Sequence, residues 1–450
     1  MGKLFGTDGV RGVANKELTP ELALNLGRAG GYVLTKAAKG APKVLVAMDS
    51  RRSGDMLAAA LSAGLCSVGA EVHLAGVIPT PAVAYYVREN NFDAGVMISA
   101  SHNPMADNGI KFFSGTGYKL PDALEDEIET YMTTPEKLPA PIGKDVGITI
   151  PCKEAENDYI NYLLSTVKDK KLNGLKIALD CANGATSQVA SKVFEALGGT
   201  VHKLSNTPNG LNINENCGST HMENLCQYVK TNNLDLGLAF DGDGDRMLAV
   251  DNNGNMVDGD EILAICGYDL SQQGQLPQNA IVATTMSNQG LEVMCKNHGL
   301  TLHRTDVGDR YVLEKMLADN LALGGEQSGH IIFTKYSTTG DGILAGLLLV
   351  EIVIRNQKPL SELKTVMEHF PQVLINVKVA NDKKRKWSNY PEITTPMKEM
   401  EDQMNGEGRI LIRPSGTEPL VRVMIEGRDK ADIQAKAERL ADIIVITLAP

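Results

Sequence analysis

The chain has 450 residues and a net charge of −11, and 43% of its residues are hydrophobic while 22% are charged, as in soluble globular proteins. The negative charge argues against broad binding to nucleic acids or anionic membranes, and no apolar run approaches the roughly 20 residues that span a bilayer. The N-terminus, MGKLFGTDGVRG, lacks the apolar region of a secretory signal. Seven scattered cysteines without a CxxC pair indicate neither a zinc site nor a disulfide framework, so we expect a cytoplasmic protein.

Strand-like and helix-like segments alternate along most of the chain. Residues 43–69, 175–199 and 279–299 each combine a short apolar run, a polar or glycine-rich turn and a helical pattern. This order is typical of parallel βαβ units with helices covering the sheet. The similar spacing of the three segments suggests one related α/β unit used three times.

A chain of this length is expected to split into several domains, and stretches rich in proline or turn-forming residues mark the predicted boundaries. Proline-rich or turn-rich stretches occur at 131–147, 250–261 and 368–387. The last segment contains an alternating strand, a charged helix, a strand–loop–strand stretch and a closing helix. We therefore expect an α/β fold: three related mixed α/β units with helices on both faces of the sheet, then a small α+β domain. The predicted domains are residues 1–150, 151–252, 253–368 and 369–450.

The stretch GVMISASHNPMADNGIKFF (95–113) ends an apolar run in a loop of small residues. Such loops are where α/β sheets place their ligands. Ser101 beside His102 invites a serine-hydrolase interpretation, but the G-x-S-x-G pattern is missing. A serine can instead carry a phosphoryl group. Lys111 is a candidate acid or base if partly desolvated, or else a lysine guarding an edge strand.

The stretch DGDGDR (241–246) places Asp241, Asp243 and Asp245 at alternate positions. Glycines between them let the three carboxylates converge, which suits a hard divalent cation such as Mg²⁺ shared with a phosphate. The alternative is a solvated turn. An EF-hand is excluded because Arg246 and Asn252 occupy the positions that require Gly and Glu.

Two later stretches carry further polar groups. In LALGGEQSGHIIF (321–333), Glu326, Ser328 and His330 alternate and suit hydrogen bonds to sugar hydroxyls or an amine, although His330 could equally be a structural histidine. The stretch RPSGTEP (413–419) predicts a phosphate-binding loop rather than a surface turn. Its anion donors would be Arg413, Ser415, Gly416, Thr417 and, on the following strand, Arg422.

Together these stretches indicate phosphoryl transfer on a phosphorylated polar small molecule. The residues alone leave open which sugar is involved and whether the reaction is isomerisation or hydrolysis.

The sequence resembles the α-D-phosphohexomutase superfamily along its whole length. The resemblance rests on GTDGVRG (6–12), SASHNP (99–104), NGIKF (108–112), DGDGDR, GEQSGH (325–330) and RPSGTEP, all in family order. The loop GEQSGH, with GTDGVRG and DVGDRYV (306–312), is similar to the glucosamine branch of the superfamily. The resemblance implies four domains around a central cleft.

The resemblance also implies a reaction, the interconversion of glucosamine 6-phosphate and glucosamine 1-phosphate, which would feed UDP-N-acetylglucosamine synthesis. Ser101 would carry a covalent phosphate, and glucosamine 1,6-bisphosphate would be the bound intermediate and activator. One Mg²⁺ per subunit would be held by Asp241, Asp243, Asp245 and the Ser101 phosphate.

The remaining roles follow from the same resemblance. The residues around the reacting centre would be Arg11, His102, Lys111, Arg246 and His330, with Lys111 and His330 as candidate proton shuttles. Glu326 and Ser328 would bind sugar hydroxyls, and the RPSGTEP loop with Arg422 would bind the distal phosphate. A homodimer and an activating kinase are implied as partners. The alternatives are a phosphoglucomutase or phosphomannomutase, a phosphatase, or a non-catalytic sugar-phosphate sensor.

Overall fold

The computed structural model describes residues 4–6, 8–38, 40–167, 172, 174–415 and 419–448. By internal contacts the chain divides into two compact units. The first comprises residues 1–286 and 303–364, and the second comprises residues 287–302 and 365–450. Among the described helices, none is both long and apolar enough to cross a membrane.

The N-terminal sheet has six strands in the order β1-β5-β4-β2-β3-β6. The strands are β1 (Val10–Val13), β2 (Lys43–Met48), β3 (Glu71–Val77), β4 (Ala94–Ile98), β5 (Asp107–Ser114) and β6 (Thr149–Pro151). The helices of this segment are α1 (Pro20–Thr35), α2 (Gly54–Ser67), α3 (Thr80–Glu89), α4 (Asp122–Thr133) and α5 (Glu154–Thr166). Strands β4, β2, β3 and β6 are parallel, whereas β5 runs antiparallel to both β4 and β1.

The second sheet has the order β11-β10-β9-β7-β8. Its strands are β7 (Lys176–Asp180), β8 (Thr200–Leu204), β9 (Leu236–Phe240), β10 (Met247–Val250) and β11 (Met256–Val257), and its helices are α6 (Ala190–Ala196) and α7 (Glu223–Thr231). Strands β8, β7 and β9 are parallel, and β10 turns back antiparallel to β9.

The third sheet has the order β13-β12-β14-β15. Its strands are β12 (Ala280–Thr284), β13 (Thr301–Thr305), β14 (Leu323–Gly325) and β15 (Ile331–Phe333). The helices of this segment are α8 (Gly259–Gln272), α9 (Gln289–Asn297), α10 (Asp309–Ala318), α11 (Gly342–Asn356) and α12 (Leu360–Leu363). Strand β14 is parallel to β12, and β15 is antiparallel to β14.

One arrangement recurs in all three sheets: a buried strand, a short loop and an antiparallel return strand. The pairs are β4–β5, β9–β10 and β14–β15. Strands β4 and β9 are buried along their whole length, as expected for apolar runs inside a sheet that is covered on both faces. Because the loops follow the carboxyl ends of these strands, polar residues in them are held on a rigid frame.

Local signals explain where individual helices begin. Helix α1 starts with Pro20 after Thr19, whose side chain accepts a hydrogen bond from the Leu22 amide. Helix α8 starts with a capping box in which Asp258 accepts from the Glu261 amide and Glu261 accepts from the Asp258 amide.

The second unit contains a three-stranded antiparallel sheet in the order β16-β18-β17. Its strands are β16 (Gln372–Lys378), β17 (Gly408–Pro414) and β18 (Leu420–Gly427), and its helices are α13 (Pro391–Gln403) and α14 (Lys430–Leu448). Apolar residues of both helices and all three strands form one core. The expected fold class is confirmed: mixed α/β sheets with helices, followed by a small α+β domain. The four domain limits stay predictions.

Candidate active site

Ser101 lies in the loop between β4 and β5, with its backbone in the left-handed region at φ +52°. The side chain is buried, and its Oγ donates a hydrogen bond to Asp241 Oδ2 at 2.5 Å. The same Oγ lies 3.3 Å from His102 Nδ1. The fold therefore brings the predicted serine directly onto the predicted acidic cluster, although 140 residues separate them in sequence.

The three aspartates occupy the loop between β9 and β10, which is the equivalent position in the second sheet. One carboxylate oxygen from each of Asp241, Asp243 and Asp245 lies within 4.8 Å of the others, and all three side chains are buried. Burial and the two neighbouring carboxylates raise the pKa of Asp241 well above its usual range. A solvated turn is therefore the wrong interpretation.

The donor set of this cluster fits a hard cation. Asp243 Oδ1 and Asp245 Oδ1 are buried and accept no hydrogen bond from any described residue. Buried carboxylate oxygens without partners are costly, and a bound divalent ion would satisfy them. Asp241, Asp243 and Asp245 are thus the residues that could hold a metal ion.

Lys111 is fully buried on β5, which lies between β1 and β4, so the alternative of an edge-strand lysine is wrong. Its Nζ donates to Asp243 Oδ2 at 2.8 Å and lies 3.0 Å from Asp8 Oδ2. Burial alone would lower the pKa of Lys111, but Asp243 and Asp8 outweigh it and raise that pKa. Lys111 is therefore an ammonium ion that neutralises part of the acidic cluster.

His330 precedes β15 and is also buried. The Gly340 amide donates to its Nε2 at 3.0 Å, so Nδ1 carries the proton in the neutral ring. That nitrogen lies 3.7 Å from Asp245 Oδ2, while Nε2 lies 3.6 Å from Asp309 Oδ2. Burial would lower the pKa of His330, but the two aspartates outweigh it and raise that pKa.

Three charged residues that sequence reasoning missed complete the cluster: Asp8, Lys119 and Asp309. Lys119 Nζ donates to Asp8 Oδ1 at 2.5 Å and also to Asp309 Oδ2. A closed ring results in which acidic and basic residues alternate, in the order Asp8, Lys111, Asp245, His330, Asp309 and Lys119. Asp8 and Asp309 lie in GTDGVRG and DVGDRYV, which drew notice only as family motifs, and Lys119 lies in none.

A cavity of about 440 Å³ opens onto this ring. Acidic and basic side chains border it, including Arg11, His102, Arg246, Glu326 and His330. Glu326 Oε1 accepts from the Gly308 amide at 3.2 Å. Burial and then the charges of Arg246 and Arg11 lower the pKa of His102 to about 4, so its ring is neutral near pH 7. Such walls suit a polar anion that also carries hydroxyl or amine groups.

Ser328 does not border this cavity, unlike its neighbours Glu326 and His330. Its Oγ is buried and has no hydrogen-bond partner among the described residues. Of the three alternating residues, only Glu326 and His330 therefore border this cavity.

The RPSGTEP loop joins β17 and β18 in the second unit. Arg413 and Arg422 are directly opposite each other in the two strands, and both are exposed, while Ser415 is buried. Like charges directly opposite across a ladder are destabilising, so an anion bound between them would relieve the repulsion. The predicted donors Gly416 and Thr417 lie outside the described residues.

Comparisons with known families match the chain in four consecutive parts. The phosphoglucomutase/phosphomannomutase alpha/beta/alpha domains I, II and III match residues 2–138, 157–254 and 258–370. The C-terminal domain of the same family matches residues 374–443.

Similar proteins cover the chain from end to end. A phosphoglucosamine mutase of Ruminiclostridium cellulolyticum is 57% identical, covering 99% of each chain. A phosphoglucosamine mutase of Caldanaerobacter subterraneus is 55% identical, again over 99% of each chain.

Solved structures share the fold at lower identity. A phosphoglucomutase/phosphomannomutase family protein of Burkholderia thailandensis has a TM-score of 0.81 at 23% identity, over 99% of this chain and 97% of that one. The Aspergillus fumigatus N-acetylphosphoglucosamine mutase, solved with GlcNAc-6P and magnesium, has a TM-score of 0.69 at 18% identity, over 98% and 95%. The chain belongs to the phosphoglucomutase/phosphomannomutase family, and within it to the phosphoglucosamine mutases.

Proposed function

We propose that this chain interconverts glucosamine 6-phosphate and glucosamine 1-phosphate through a phosphoserine at Ser101 and a bound glucosamine 1,6-bisphosphate. One observation carries the chemistry: the buried Ser101 Oγ lies at 2.5 Å from one member of a cluster of three buried carboxylates. Phosphoryl transfer depends on positioning and on neutralising charge, and a serine hydroxyl beside a cation site can meet both needs. The amino sugar is supported by relatives named phosphoglucosamine mutase at 57% identity.

One Mg²⁺ per subunit is part of the proposal, held by Asp241, Asp243, Asp245 and the Ser101 phosphate. When bound, the ion would neutralise charge that develops on the transferring phosphoryl group. Two buried oxygens that accept no hydrogen bond from the described residues, Asp243 Oδ1 and Asp245 Oδ1, support this assignment. Arg11 and Arg246, which border the cavity, add positive charge near the same centre.

The bond from phosphorus to Ser101 Oγ breaks as a bond to the sugar hydroxyl oxygen forms. The hydroxyl proton passes to a nearby base, and the serine oxygen takes up a proton if it leaves as an alcohol. The bisphosphate then turns end for end, and its other phosphoryl group returns to Ser101. No phosphate is consumed over the cycle. Lys111 and His330 stay the candidate proton shuttles, and His102 the third candidate at the reacting centre.

Substrate contacts are proposed for two further groups of residues. Glu326, with a carboxylate on the cavity wall, and Ser328 would bind sugar hydroxyls or the amine. The loop of the second unit would bind a phosphate through Arg413, Ser415, Gly416, Thr417 and Arg422. The opposed arginines support that role.

Family resemblance also underlies four broader proposals. They are a homodimer, activation by a kinase or a sugar bisphosphate, a cytoplasmic location, and domain limits at 1–150, 151–252, 253–368 and 369–450. The cytoplasmic location is supported by the seven cysteines, which are all free thiols.

Phosphorus NMR tests the proposed reaction. The protein would be mixed with Mg²⁺, a trace of sugar bisphosphate and either glucosamine 6-phosphate or glucose 6-phosphate in parallel tubes. We expect fast appearance of the 1-phosphate from the amino sugar and little from glucose 6-phosphate. Equal conversion of glucose 6-phosphate would contradict the sugar assignment, and accumulation of inorganic phosphate in place of a 1-phosphate would indicate a phosphatase.

A further inference from the structure

We infer that Arg51 and Asn214 are positioning residues that hold Ser101 in its reactive conformation from behind the loop. The inference rests on the proposed role of Ser101 as the phosphoryl carrier. Neither side chain borders the cavity, and both are buried, at 2% and 7% exposure. They lie in different parts of the first unit: Arg51 follows β2, and Asn214 lies in the long connection between β8 and α7.

Arg51 donates hydrogen bonds to four backbone carbonyls of the serine loop. Its Nη2 donates to the carbonyls of Ser101 at 2.9 Å and Asn103 at 2.8 Å. Its Nη1 donates to the carbonyls of Pro104 and Asp107. A planar guanidinium has fixed donor directions, so this pattern fixes the path of the loop more tightly than a lysine could.

Asn214 reaches the same loop from the second sheet's side. Its Nδ2 donates to the Ser101 carbonyl at 2.9 Å and to the Asn103 carbonyl at 3.0 Å. Two carbonyls therefore each accept from two buried donors, one on the segment after β2 and one on the segment after β8. The segment after β8 also precedes β9, whose loop supplies the aspartates, so Asn214 links the serine loop to the sheet that bears the cation site.

Backbone strain explains why the loop needs these donors. Ser101 has φ +52°, a left-handed conformation that costs a non-glycine residue about 1 kcal/mol or more. A third contact fixes its amide, which donates to Ser99 Oγ at 2.9 Å, and Ser99 Oγ in turn donates to Asp49 Oδ2 at 2.6 Å. Asp49 also accepts from Arg51 Nε at 2.9 Å. Both peptide groups of Ser101 are thus tied to the Arg51–Asp49 pair.

A change in the conformation of the serine loop would move Ser101 Oγ away from Asp241 and leave the proposed substrate contacts in place. Misplacement of a reacting atom by about 1 Å can cost on the order of a hundredfold in rate. We therefore expect loss of a donor to lower kcat about 10- to 100-fold while KM stays within about threefold. A role in stability alone would lower the thermal midpoint without changing kcat per folded molecule.

Asn214→Ala tests the inference, with Asn183→Ala as the matched control. Asn183 is a buried asparagine in the same region, but its side chain donates to Asn212 and not to the serine loop. We would measure kcat, KM and thermal midpoint for both, and the single-turnover rate at which glucosamine 1,6-bisphosphate phosphorylates Ser101. Asn214→Ala should slow both rates, whereas Asn183→Ala should keep both within about threefold at a comparable thermal midpoint.

Arg51→Lys provides a second, independent variant that keeps the charge beside Asp49. It should lower kcat and the phosphorylation rate as Asn214→Ala does. Normal kcat in Asn214→Ala and Arg51→Lys, or an equal loss in Asn183→Ala, would overturn the inference, as would failure of both variants to fold. Absence of Ser101 phosphorylation in the wild-type protein would instead overturn the proposed function.

Discussion

At the residue scale, Lys111 interacts with some carboxylate oxygens of the acidic cluster and leaves others available. Its Nζ donates to Asp243 Oδ2 and lies 3.7 Å from Asp245 Oδ2, while the Oδ1 atom of each aspartate accepts no hydrogen bond from the described residues, and Arg246 Nε lies 3.9 Å from Asp245 Oδ1. The lysine therefore lessens repulsion among three buried carboxylates and still leaves two oxygens free to bind a cation.

Asp243→Asn should weaken Mg²⁺ binding at least about tenfold, because it removes a charged ligand from the cluster. Calorimetric titration of Mg²⁺ measures this without reference to activity. Asp251→Asn is the control, since Asp251 is equally buried but pairs with Lys364 Nζ at 3.0 Å. Equal Mg²⁺ affinity in Asp243→Asn and the wild-type protein would contradict the assigned cation site.

At the element scale, the return strands of the three α/β sheets give the candidate site its geometry. The serine, the aspartates and Glu326 each lie in the loop after the first strand of such a pair, between β4 and β5, β9 and β10, and β14 and β15. The sequence predicted these loops because an apolar run stops at a cluster of polar or glycine residues in each case. The sequence did not predict the return strands. They are short apolar runs, and hydrophobic periodicity alone does not distinguish such a strand from another buried segment.

Residues whose partners are distant in sequence were the ones missed. Lys119 follows β5 in a segment without a recognisable pattern, and its partners Asp8 and Asp309 are 111 and 190 residues away. Arg51 was visible only as one of two adjacent arginines, and its four acceptors are backbone carbonyls, which carry no sequence signal. Prediction from local pattern therefore recovers loops that bear chemistry, and it misses charges and donors that only the tertiary fold brings together.

Helix α11 begins beside the aspartate loop, where the Gly342 amide donates to the Gly244 carbonyl at 3.0 Å. Asp341 caps this helix, and burial raises its pKa from 3.8 to about 6. The folded state therefore binds the Asp341 proton more tightly than the unfolded state does. This contribution to stability is fully present below about pH 4 and is lost as the pH rises through about 6.

Asp341→Asn keeps a residue that can cap the helix but cannot ionise. Between pH 4 and pH 7 the free energy of unfolding of the variant should rise by roughly 2 to 3 kcal/mol relative to the wild-type protein. Thermal midpoints measured across this range, with the difference plotted against pH, check the sign. A difference that does not change with pH would show that the pKa of Asp341 is not raised in the folded protein.

In the hairpin of β17 and β18, Arg422 faces Arg413 across the ladder. Arg422→Ala should raise KM for the sugar phosphate about 10-fold or more with little change in kcat, because a charge-assisted bond to a non-reacting phosphate is equally strong in the ground and transition states. Arg428→Ala is the control, since that arginine pairs instead with Glu368 and Glu407 in the same unit. An unchanged KM in Arg422→Ala would remove this residue from phosphate binding.

At the scale of the whole molecule, each of the three α/β sheets supplies one polar loop within the first unit, and the small antiparallel sheet of the second unit supplies another. The net charge of −11 does not prevent anion binding, because Arg11 and Arg246 border the cavity of the first unit and supply positive charge there. A mutase must return every phosphoryl group that it donates, so its carrier residue has to be shielded from water. The buried Ser101 meets that requirement, at 1% exposure.

The central claim is that Ser101 carries the phosphoryl group, and mass spectrometry of the protein tests it most directly. The chain would be incubated with Mg²⁺ and glucosamine 1,6-bisphosphate, and then with glucosamine 6-phosphate, with Ser101→Ala treated in parallel. We predict that the wild-type protein gains one phosphoryl group on the peptide that contains Ser101 and transfers it to the sugar, while Ser101→Ala neither gains the group nor turns over substrate. A phosphoryl group on another residue, or normal turnover by Ser101→Ala, would contradict the account.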